Sequence, residues 1–137
     1  MGNRELAERF IARLEARDWD AWAGLLHPAV VYEIPQSRER IRGRDRYLRF
    51  NRDYPGDWHL RPKVTIADER HGVVWFEWLL DGRCDDAVAF FEFADGLFIG
   101  RLKVGGVSGE QARKAVWTTR PPGGLLKLTD VVDIWGL

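Results

Sequence analysis

Residues 9–35, RFIARLEARDWDAWAGLLHPAVVYEIP, decide the fold, because the spacing of the apolar residues changes within this stretch. The apolar residues first recur every three or four positions, which is the period of a helix, and later alternate as in a strand. A first helix is predicted over residues 3–16, because Asn3 is a favourable N-cap for it. The sequence thus predicts helices that lead directly into a sheet.

The second helix is predicted to be short and to end where the first strand begins. Asp18 is expected to cap it, and His27-Pro28 are expected to end it, since proline disfavours helix in the residue before it. His27 would then lie at a helix C-terminus, where a cation is favourable. Residues 29–35, AVVYEIP, are predicted to form a strand that Pro35 stops.

A third helix is predicted after a polar connection. Residues 36–43, QSRERIRG, indicate a loop or a short hairpin, and Gly43 then precedes the helical stretch RDRYLRFNRDY. The turn Pro55-Gly56 closes that helix, and from there onward the apolar period changes to two.

The second half of the chain is predicted to be an antiparallel series of strands. Pro62 restricts part of the first of these strands to a sheet edge or a bulge. Asp81-Gly82 and Asp95-Gly96 are hairpin signals, and His71-Gly72 also indicates a turn. The strand candidates are WHLRPKVTIADE, GVVWFEWLLDG, AVAFFEFADG and LFIGRLKVGG. The predicted class is therefore α+β, with three N-terminal helices packed on a curved, mostly antiparallel sheet.

Length and charge place limits on the class of function. A chain of 137 residues is expected to form one main domain, over residues 1–106, followed by an atypical tail, residues 107–137, that packs on it or on a partner. The 21 basic and 21 acidic residues cancel, and the arginine run at residues 38–49 is offset by nearby acids, so no nucleic-acid partner is expected. No leader or membrane segment is seen in the sequence, and a cytoplasmic location is expected.

The order of elements resembles a known superfamily. The helix-loop-helix RFIARLEARDWDAWAGLL, the strand VVYEIP, the glycine that opens helix three and the segment AFFEFADG resemble the nuclear-transport-factor-2-like superfamily, and most of all its bacterial SnoaL-like domains. The resemblance covers about residues 5–104. It implies a cone-shaped α+β domain with a pocket between the concave face of the sheet and the helices, and it implies a homodimer. Members include ketosteroid isomerase, limonene epoxide hydrolase, polyketide cyclases and domains without a known reaction.

The isomerase residues of that superfamily do not carry over to this chain. The resemblance places the aspartate base at Ile34, the oxyanion tyrosine at Phe10 and the second aspartate near Ala89, and all three residues are apolar here. The same mapping implies that Tyr32 and Ile34 face the pocket while Glu33 faces away. The chain also departs from the family after Gly100, where one wall of the pocket would be formed.

Three residues are candidates for acid–base catalysis: Glu77, Asp85 and His59. Glu77 lies between Trp75 and Trp78, and a carboxylate desolvated by such rings would have a raised pKa. Aligning the hairpin from either end gives opposite orientations for Glu77, so solvent exposure is an alternative. Asp85 shares a strand face with Ala89, and His59 is either a general base or an exposed corner residue.

The expected ligand is a small apolar or aromatic molecule. The candidate ligand-binding residues are Tyr32, Ile34, Phe10, Asn51, Trp58, Trp75, Ala89 and Phe91. No metal is expected, because the three histidines lack a metal-ligand spacing, and no cofactor is expected, because the glycines form no phosphate-binding pattern.

Two functions are compatible with the sequence. The first is a SnoaL-like small-molecule pocket protein, with isomerase, cyclase or hydrolase chemistry as the catalytic version. The second is a non-catalytic domain that binds a ligand or forms a homodimer through its tryptophan-rich sheet. The orientation of Glu77 and of the tryptophans distinguishes the two.

Overall fold

The computed structural model describes residues 2–34, 38–94 and 98–107. Within this part of the chain, three helices pack on one face of a six-stranded sheet. The predicted strand end at Pro35 and the predicted hairpin turn at Asp95-Gly96 lie outside the described residues. So does nearly all of the predicted tail, residues 107–137.

The three helices are α1 (Asn3–Glu15), α2 (Trp19–Ala23) and α3 (Arg44–Arg52). Helix α1 buries one stripe of side chains at helical spacing, namely Leu6, Ala7, Phe10, Ile11 and Leu14. That stripe rests on the sheet, and α3 packs on the same face of the sheet, against its first strand. Since burial of one apolar face stabilises a helix more than intrinsic propensity does, packing on the sheet holds these short helices in place.

The sheet has six strands, β1 (Leu26–Ile34), β2 (Glu39–Arg42), β3 (Trp58–Ala67), β4 (His71–Leu80), β5 (Arg83–Ala94) and β6 (Phe98–Val107). Their order across the sheet is β2-β1-β6-β5-β4-β3. All neighbours are antiparallel except β1 and β6, which are parallel. The predicted α+β class and the mostly antiparallel sheet are therefore confirmed.

Two predicted boundaries are wrong. The first strand begins at Leu26, so His27-Pro28 lie in β1 and do not end the second helix. The strand tolerates Pro28 because the pairing with β6 shifts register between Leu26 and Val31. His71-Gly72 belong to β4 and not to a turn. The chain reverses between β3 and β4 at residues 68–70, where the Asp68 carboxylate accepts hydrogen bonds from the main-chain N–H groups of Arg70 and His71.

Other local predictions are confirmed. Residues 39–42 form the short hairpin strand β2, which pairs with β1. Pro62 lies in the edge strand β3, next to a register shift in its pairing with β4. Asp81 and Gly82 form the tight turn between β4 and β5, both with positive φ.

The sheet has two faces that differ in what covers them. We call the face that packs against the helices the cavity face, and the opposite one the outer face. Val74, Phe76 and Phe91 on the cavity face belong to the main apolar core together with the stripe of α1. Because neighbouring residues of a strand point to opposite faces, Val73 and Phe90 lie on the outer face, where they too are buried.

The corner between α3 and β3 is tied to the β4–β5 turn. Gly56 has a φ of +92°, and the main-chain N–H of Asp57 donates a 2.9 Å hydrogen bond to the Asp81 carboxylate. A Cβ atom at Gly56 would lie 2.7 Å from Leu80 Cδ1 and 3.1 Å from Asp81 Oδ2. Gly82 also has a positive φ of +84°, but a Cβ there would meet no atom within 4 Å.

We predict that Gly56→Ala destabilises the protein more than Gly82→Ala does. Both substitutions force alanine into a left-handed conformation, at a cost of about 1–2 kcal/mol. Only Gly56→Ala also displaces Leu80 and weakens the tie to Asp81. Urea denaturation of the two variants measures the difference, and equal losses would show that the contact at Leu80 does not hold this corner.

Candidate ligand-binding cavity

A cavity of about 610 Å³ lies between the helices and the cavity face of the sheet. Its aromatic lining comes mainly from α3 and the strands, namely Phe10, Tyr32, Tyr47, Phe50, Tyr54, Phe76 and Trp78. Its aliphatic lining consists of Ile11, Leu14, Ile34, Leu60, Ala87, Ala89 and Val104, together with Gly105. The polar residues that border it are Asn51, Asp85 and Asp86. The cavity is thus predominantly apolar, with few polar groups.

Five of the aromatic rings touch one another in series and form what we call the aromatic wall. Tyr32 stacks on Tyr47, with ring centroids 4.6 Å apart, and also contacts Phe50 at 5.6 Å. Phe50 meets Tyr54 edge to face, and Tyr54 meets Trp78 in the same way, each pair at 5.6 Å. Such edge-to-face and offset pairs are the favoured geometries for aromatic rings. The wall therefore presents a continuous series of ring surfaces beside the cavity.

Two phenols of the aromatic wall, those of Tyr32 and Tyr47, have raised pKa values. Burial, followed by the neighbouring Tyr54 and Glu39, raises the pKa of Tyr32 to about 12. Burial, followed by the neighbouring Tyr32, raises the pKa of Tyr47 well above its usual value. Tyr32 can therefore donate a hydrogen bond to a ligand but cannot serve as a base. The side-chain amide of Asn51 is directed back along α3, because its Nδ2 donates a 3.0 Å hydrogen bond to the main-chain carbonyl of Tyr47.

Of the three predicted catalytic residues, Asp85 is the one that borders the cavity. It lies directly opposite Trp78 in the β4–β5 pairing and shares the cavity face with Ala87 and Ala89. Its side chain is exposed, so this end of the cavity opens to solvent. Asp86 also borders the cavity, but its carboxylate accepts a 2.9 Å hydrogen bond from Trp75 Nε1 on the outer face.

Glu77 lies on the outer face, which removes it from the cavity. Its carboxylate accepts two hydrogen bonds from Arg61, at 3.0 and 3.2 Å, and one from Cys84 Sγ at 2.9 Å, while Lys63 Nζ lies 3.8 Å away. The hydrogen bonds from Arg61 and Cys84 lower its pKa to about 2. The expected raised pKa is therefore wrong, because strand alternation places Glu77 beside a guanidinium and not among the aromatic rings.

His59 is an exposed corner residue and does not line the cavity. Its Nδ1 lies 3.1 Å from Glu15 Oε2 and its Nε2 lies 3.0 Å from Asp57 Oδ1. The hydrogen bond with Glu15 is the main cause of a raised His59 pKa. The same glutamate accepts from the main-chain N–H of Leu60, so this group of contacts joins the end of α1 to the start of β3. Of the two alternatives for His59, a general base or an exposed corner residue, its position agrees with the second.

Three of the predicted ligand-binding residues do not line the cavity. Trp58 is buried beneath the guanidinium of Arg17, which lies 3.3 Å from the ring centroid. Trp75 lies on the outer face below Lys63, whose Nζ is 4.8 Å from its ring. Phe91 is fully buried in the core, where its ring contacts that of Phe10. The other predicted binding residues, Tyr32, Ile34, Phe10, Asn51 and Ala89, all border the cavity.

Five aromatic residues of the lining were not predicted from the sequence, and three of them lie on α3 or directly after it. Tyr47, Phe50 and Tyr54 occur with Asn51 at positions i, i+3, i+4 and i+7, which is one face of a helix. That spacing was visible in RDRYLRFNRDY and could have identified the wall. Trp78 required the strand register, because Glu77 and Trp78 could equally well have exchanged faces.

A second hollow, of about 520 Å³, lies between β2 and α3 and is basic. Its lining is Arg40, Ile41, Arg42, Arg46, Arg49 and Asp53. Arg40 pairs with Glu33 at 3.3 Å on β1.

In the part of the chain that the structure describes, no group of three or more histidine, cysteine, aspartate or glutamate side chains could hold a metal ion. None of the described helices is long and apolar enough to cross a membrane.

The fold and the cavity together define a class of protein. Three helices on a curved, unclosed sheet with a cavity between them are the architecture of the nuclear-transport-factor-2-like superfamily. A family model for the SnoaL-like domain matches residues 7–100. The chain belongs to the SnoaL-like domain family. A comparison with curated proteins gives no significant match.

Solved structures agree with this assignment. A protein from Kribbella flavida DSM 17836, described provisionally as a ketosteroid isomerase, is 36% identical with a TM-score of 0.74, over 88% of this chain and 82% of that one. A provisional polyketide cyclase from Sinorhizobium meliloti is 19% identical, with a TM-score of 0.64 over 73% and 93% of the two chains. An LEH-like epoxide hydrolase from M. tuberculosis is 22% identical, with a TM-score of 0.61 over 75% and 80%. The last two similarities show the fold alone.

We predict that Glu77→Gln lowers stability at neutral pH in a way that disappears in acid. The pKa of Glu77 falls from its usual 4.5 to about 2 on folding. A lowered carboxyl pKa stabilises the folded state above pH 4.5, and this contribution is lost as the pH falls towards 2. Urea midpoints measured across this range for wild type and Glu77→Gln should therefore converge in acid.

The matched control is Glu92→Gln, which removes one charge from an exposed site on the outer face of the neighbouring strand β5. It is expected to change the urea midpoint little at any pH. A difference between wild type and Glu77→Gln that stays constant from pH 7 to pH 2 would contradict the ionic role of Glu77.

Proposed function

We propose that this chain is a small-molecule binding protein whose cavity takes an apolar or aromatic ligand. The single observation that carries the proposal is the cavity itself, of about 610 Å³ and lined by aromatic and aliphatic side chains. Ligand sites of proteins have volumes of about 300–1,000 Å³ and are mostly apolar with a few placed polar groups.

The lining favours ligands with ring systems. The stacked and edge-to-face rings of the aromatic wall offer flat surfaces, and each ring in contact with a ligand adds to the hydrophobic gain of about 25 cal/mol per Å² buried. Tyr32 adds one neutral hydrogen-bond donor in this apolar surround. The ligand would then be a mostly apolar molecule with an acceptor that reaches Tyr32.

The homodimerisation alternative has less support. It required tryptophans on an exposed flat face of the sheet, whereas Trp58 is buried and Trp75 is half-buried between Lys63 and the hydrogen bond to Asp86. The outer face near Trp75 is occupied by ion pairs of Glu77 and Asp86 with Lys63. Such a surface is not the contiguous exposed apolar patch that marks an interface.

If the cavity also performs a reaction, the group that fits best is Asp85. It is the one of the three candidate catalytic residues that borders the cavity, and Tyr32 borders the same cavity as a neutral donor. A carboxylate that takes a proton, together with a donor that stabilises the developing oxyanion, is the arrangement of acid–base isomerases and cyclases. The similarity to a protein described provisionally as a ketosteroid isomerase adds weight to this class of reaction, although Ile34, Phe10 and Ala89 stand where the resemblance to the superfamily places the isomerase's own acid–base residues.

We predict that filling the cavity blocks binding while changes outside it do not. N-phenyl-1-naphthylamine, a neutral aromatic probe, should become fluorescent on binding. Ala89→Leu places a larger side chain on the cavity face and should raise the dissociation constant of the probe about tenfold or more, which is a loss of ~1.4 kcal/mol or more of binding free energy. The thermal midpoint of each variant without ligand verifies that it is folded.

The controls are Glu77→Gln and His59→Gln, whose side chains lie outside the cavity, and both should bind the probe as wild type does. Tyr32→Phe should weaken the binding of only those ligands that carry a hydrogen-bond acceptor, by about 1 kcal/mol of binding free energy. Equal binding by wild type and Ala89→Leu would show that the probe lies elsewhere and would overturn the proposal.

A further inference from the structure

We infer that the ligand of this cavity carries a positive charge, as an amine or a quaternary ammonium, which lies at the open end between Asp85 and the rings of Trp78 and Tyr54. Its apolar or aromatic part would fill the interior. The inference rests on the proposed function, because it adds a charge to the ligand of the same cavity.

The first reason is the charge of the lining. Among the described residues that border the cavity, the acidic ones are Asp85 and Asp86, and no lysine, arginine or histidine is present. Four arginines of β2 and α3, namely Arg40, Arg42, Arg46 and Arg49, line the separate basic hollow. An anionic ligand in the cavity would therefore meet the Asp85 carboxylate without a compensating cation, whereas a cationic ligand would be attracted.

The second reason is the contrast between the two adjacent carboxylates. Asp86 is satisfied on the outer face, where Trp75 Nε1 donates to it and Lys63 Nζ lies 3.7 Å away. Asp85, on the cavity face, has no ion-pair partner within the part of the chain that the structure describes. A ligand cation would supply that partner.

The third reason is the arrangement of the rings beside Asp85. Trp78 lies directly opposite Asp85 in the strand pairing, and the side chains of such pairs have Cβ atoms about 4.5–5.5 Å apart. The rings of Trp78 and Tyr54 meet edge to face at 88°, Trp58 stacks on Trp78 with ring centroids 5.7 Å apart, and both Trp78 and Tyr54 border the cavity beside Asp85. Cations bind over aromatic faces, most strongly over tryptophan, and each exposed ring adds about two- to fivefold in affinity.

These features together discriminate between ligand classes. A neutral apolar ligand would use the interior but would leave Asp85 without a role. A carboxylate-bearing ligand would be repelled by Asp85. An ammonium group at the open end uses the carboxylate and both rings at once, while the apolar part of the molecule keeps the hydrophobic contacts of the interior.

The test uses two ligands of nearly identical shape. Benzyltrimethylammonium and neopentylbenzene differ in that a quaternary nitrogen replaces a quaternary carbon, and 4-tert-butylbenzoate serves as the anion. Displacement of N-phenyl-1-naphthylamine at low ionic strength gives the affinity of each. The quantity of interest is the ratio of the cation affinity to that of the neutral ligand, because hydrophobic differences between the two cancel when variants are compared.

We expect Asp85→Asn to lower that ratio by about fivefold, through weaker binding of the cation alone. Glu92→Gln, which removes a charge from the outer face of the same strand, should leave the ratio unchanged. The anion should bind wild type more weakly than the neutral ligand does, and Asp85→Asn should reduce this difference. Asp85 is exposed, so the variant should keep the thermal midpoint of wild type.

The outcomes separate this inference from the proposed function. If the neutral ligand displaces the probe and Asp85→Asn leaves the affinity ratio unchanged, the inference of a cationic ligand is overturned. The proposal that the cavity binds apolar ligands is then still supported. If an equal fall occurs in Glu92→Gln, the effect is one of net charge and the site at Asp85 is again overturned. If no ligand displaces the probe and Ala89→Leu does not affect it, both proposals fail.

Discussion

Everything in this site depends on the register between β4 and β5. Trp78 faces Asp85 and Glu77 faces Asp86 across that pair, and the two sets point to opposite faces of the sheet. A slip by one residue would exchange them, placing Glu77 in the cavity and Trp78 outside. The tight turn at Asp81 and Gly82, both with positive φ, sets the register, and the tie from Asp81 to Asp57 holds the next corner to the same turn.

The cavity exists because small residues on part of the sheet leave space among large rings. Ala87, Ala89 and Gly105 on β5 and β6 leave that space, and large rings from the third helix and from other strands surround it. Protein interiors are normally packed to the density of organic crystals, so a space of this size beside a well-packed core requires support. The aromatic wall gives that support, since each of its rings is held by contacts with its neighbours and does not depend on the cavity being filled.

The predicted fold was largely right because it rests on periods that are local. The spacing of Leu6, Phe10 and Leu14 predicts a helix, and the nearly continuous run of β-branched, aromatic and leucine residues through residues 72–80 predicts a buried strand. The errors at His27-Pro28 and His71-Gly72 fell where a residue type suggests an end to an element but a tertiary contact continues it. Pro28 is accepted in a strand because the ladder already shifts there, and no local signal announces that shift.

The sequence by itself determined the class of fold, because a chain displays periods of two and 3.6 residues without folding. The resemblance to the superfamily implied in addition that Tyr32 and Ile34 face the pocket and that apolar residues stand where an isomerase holds its acids. Only the tertiary structure decided that Asp85 borders the cavity while Glu77 pairs with Arg61 on the outer face. Both strands carry large buried apolar side chains on each of their faces, so alternation alone does not tell which face is turned to the helices, and only packing against the helices decides between the two carboxylates.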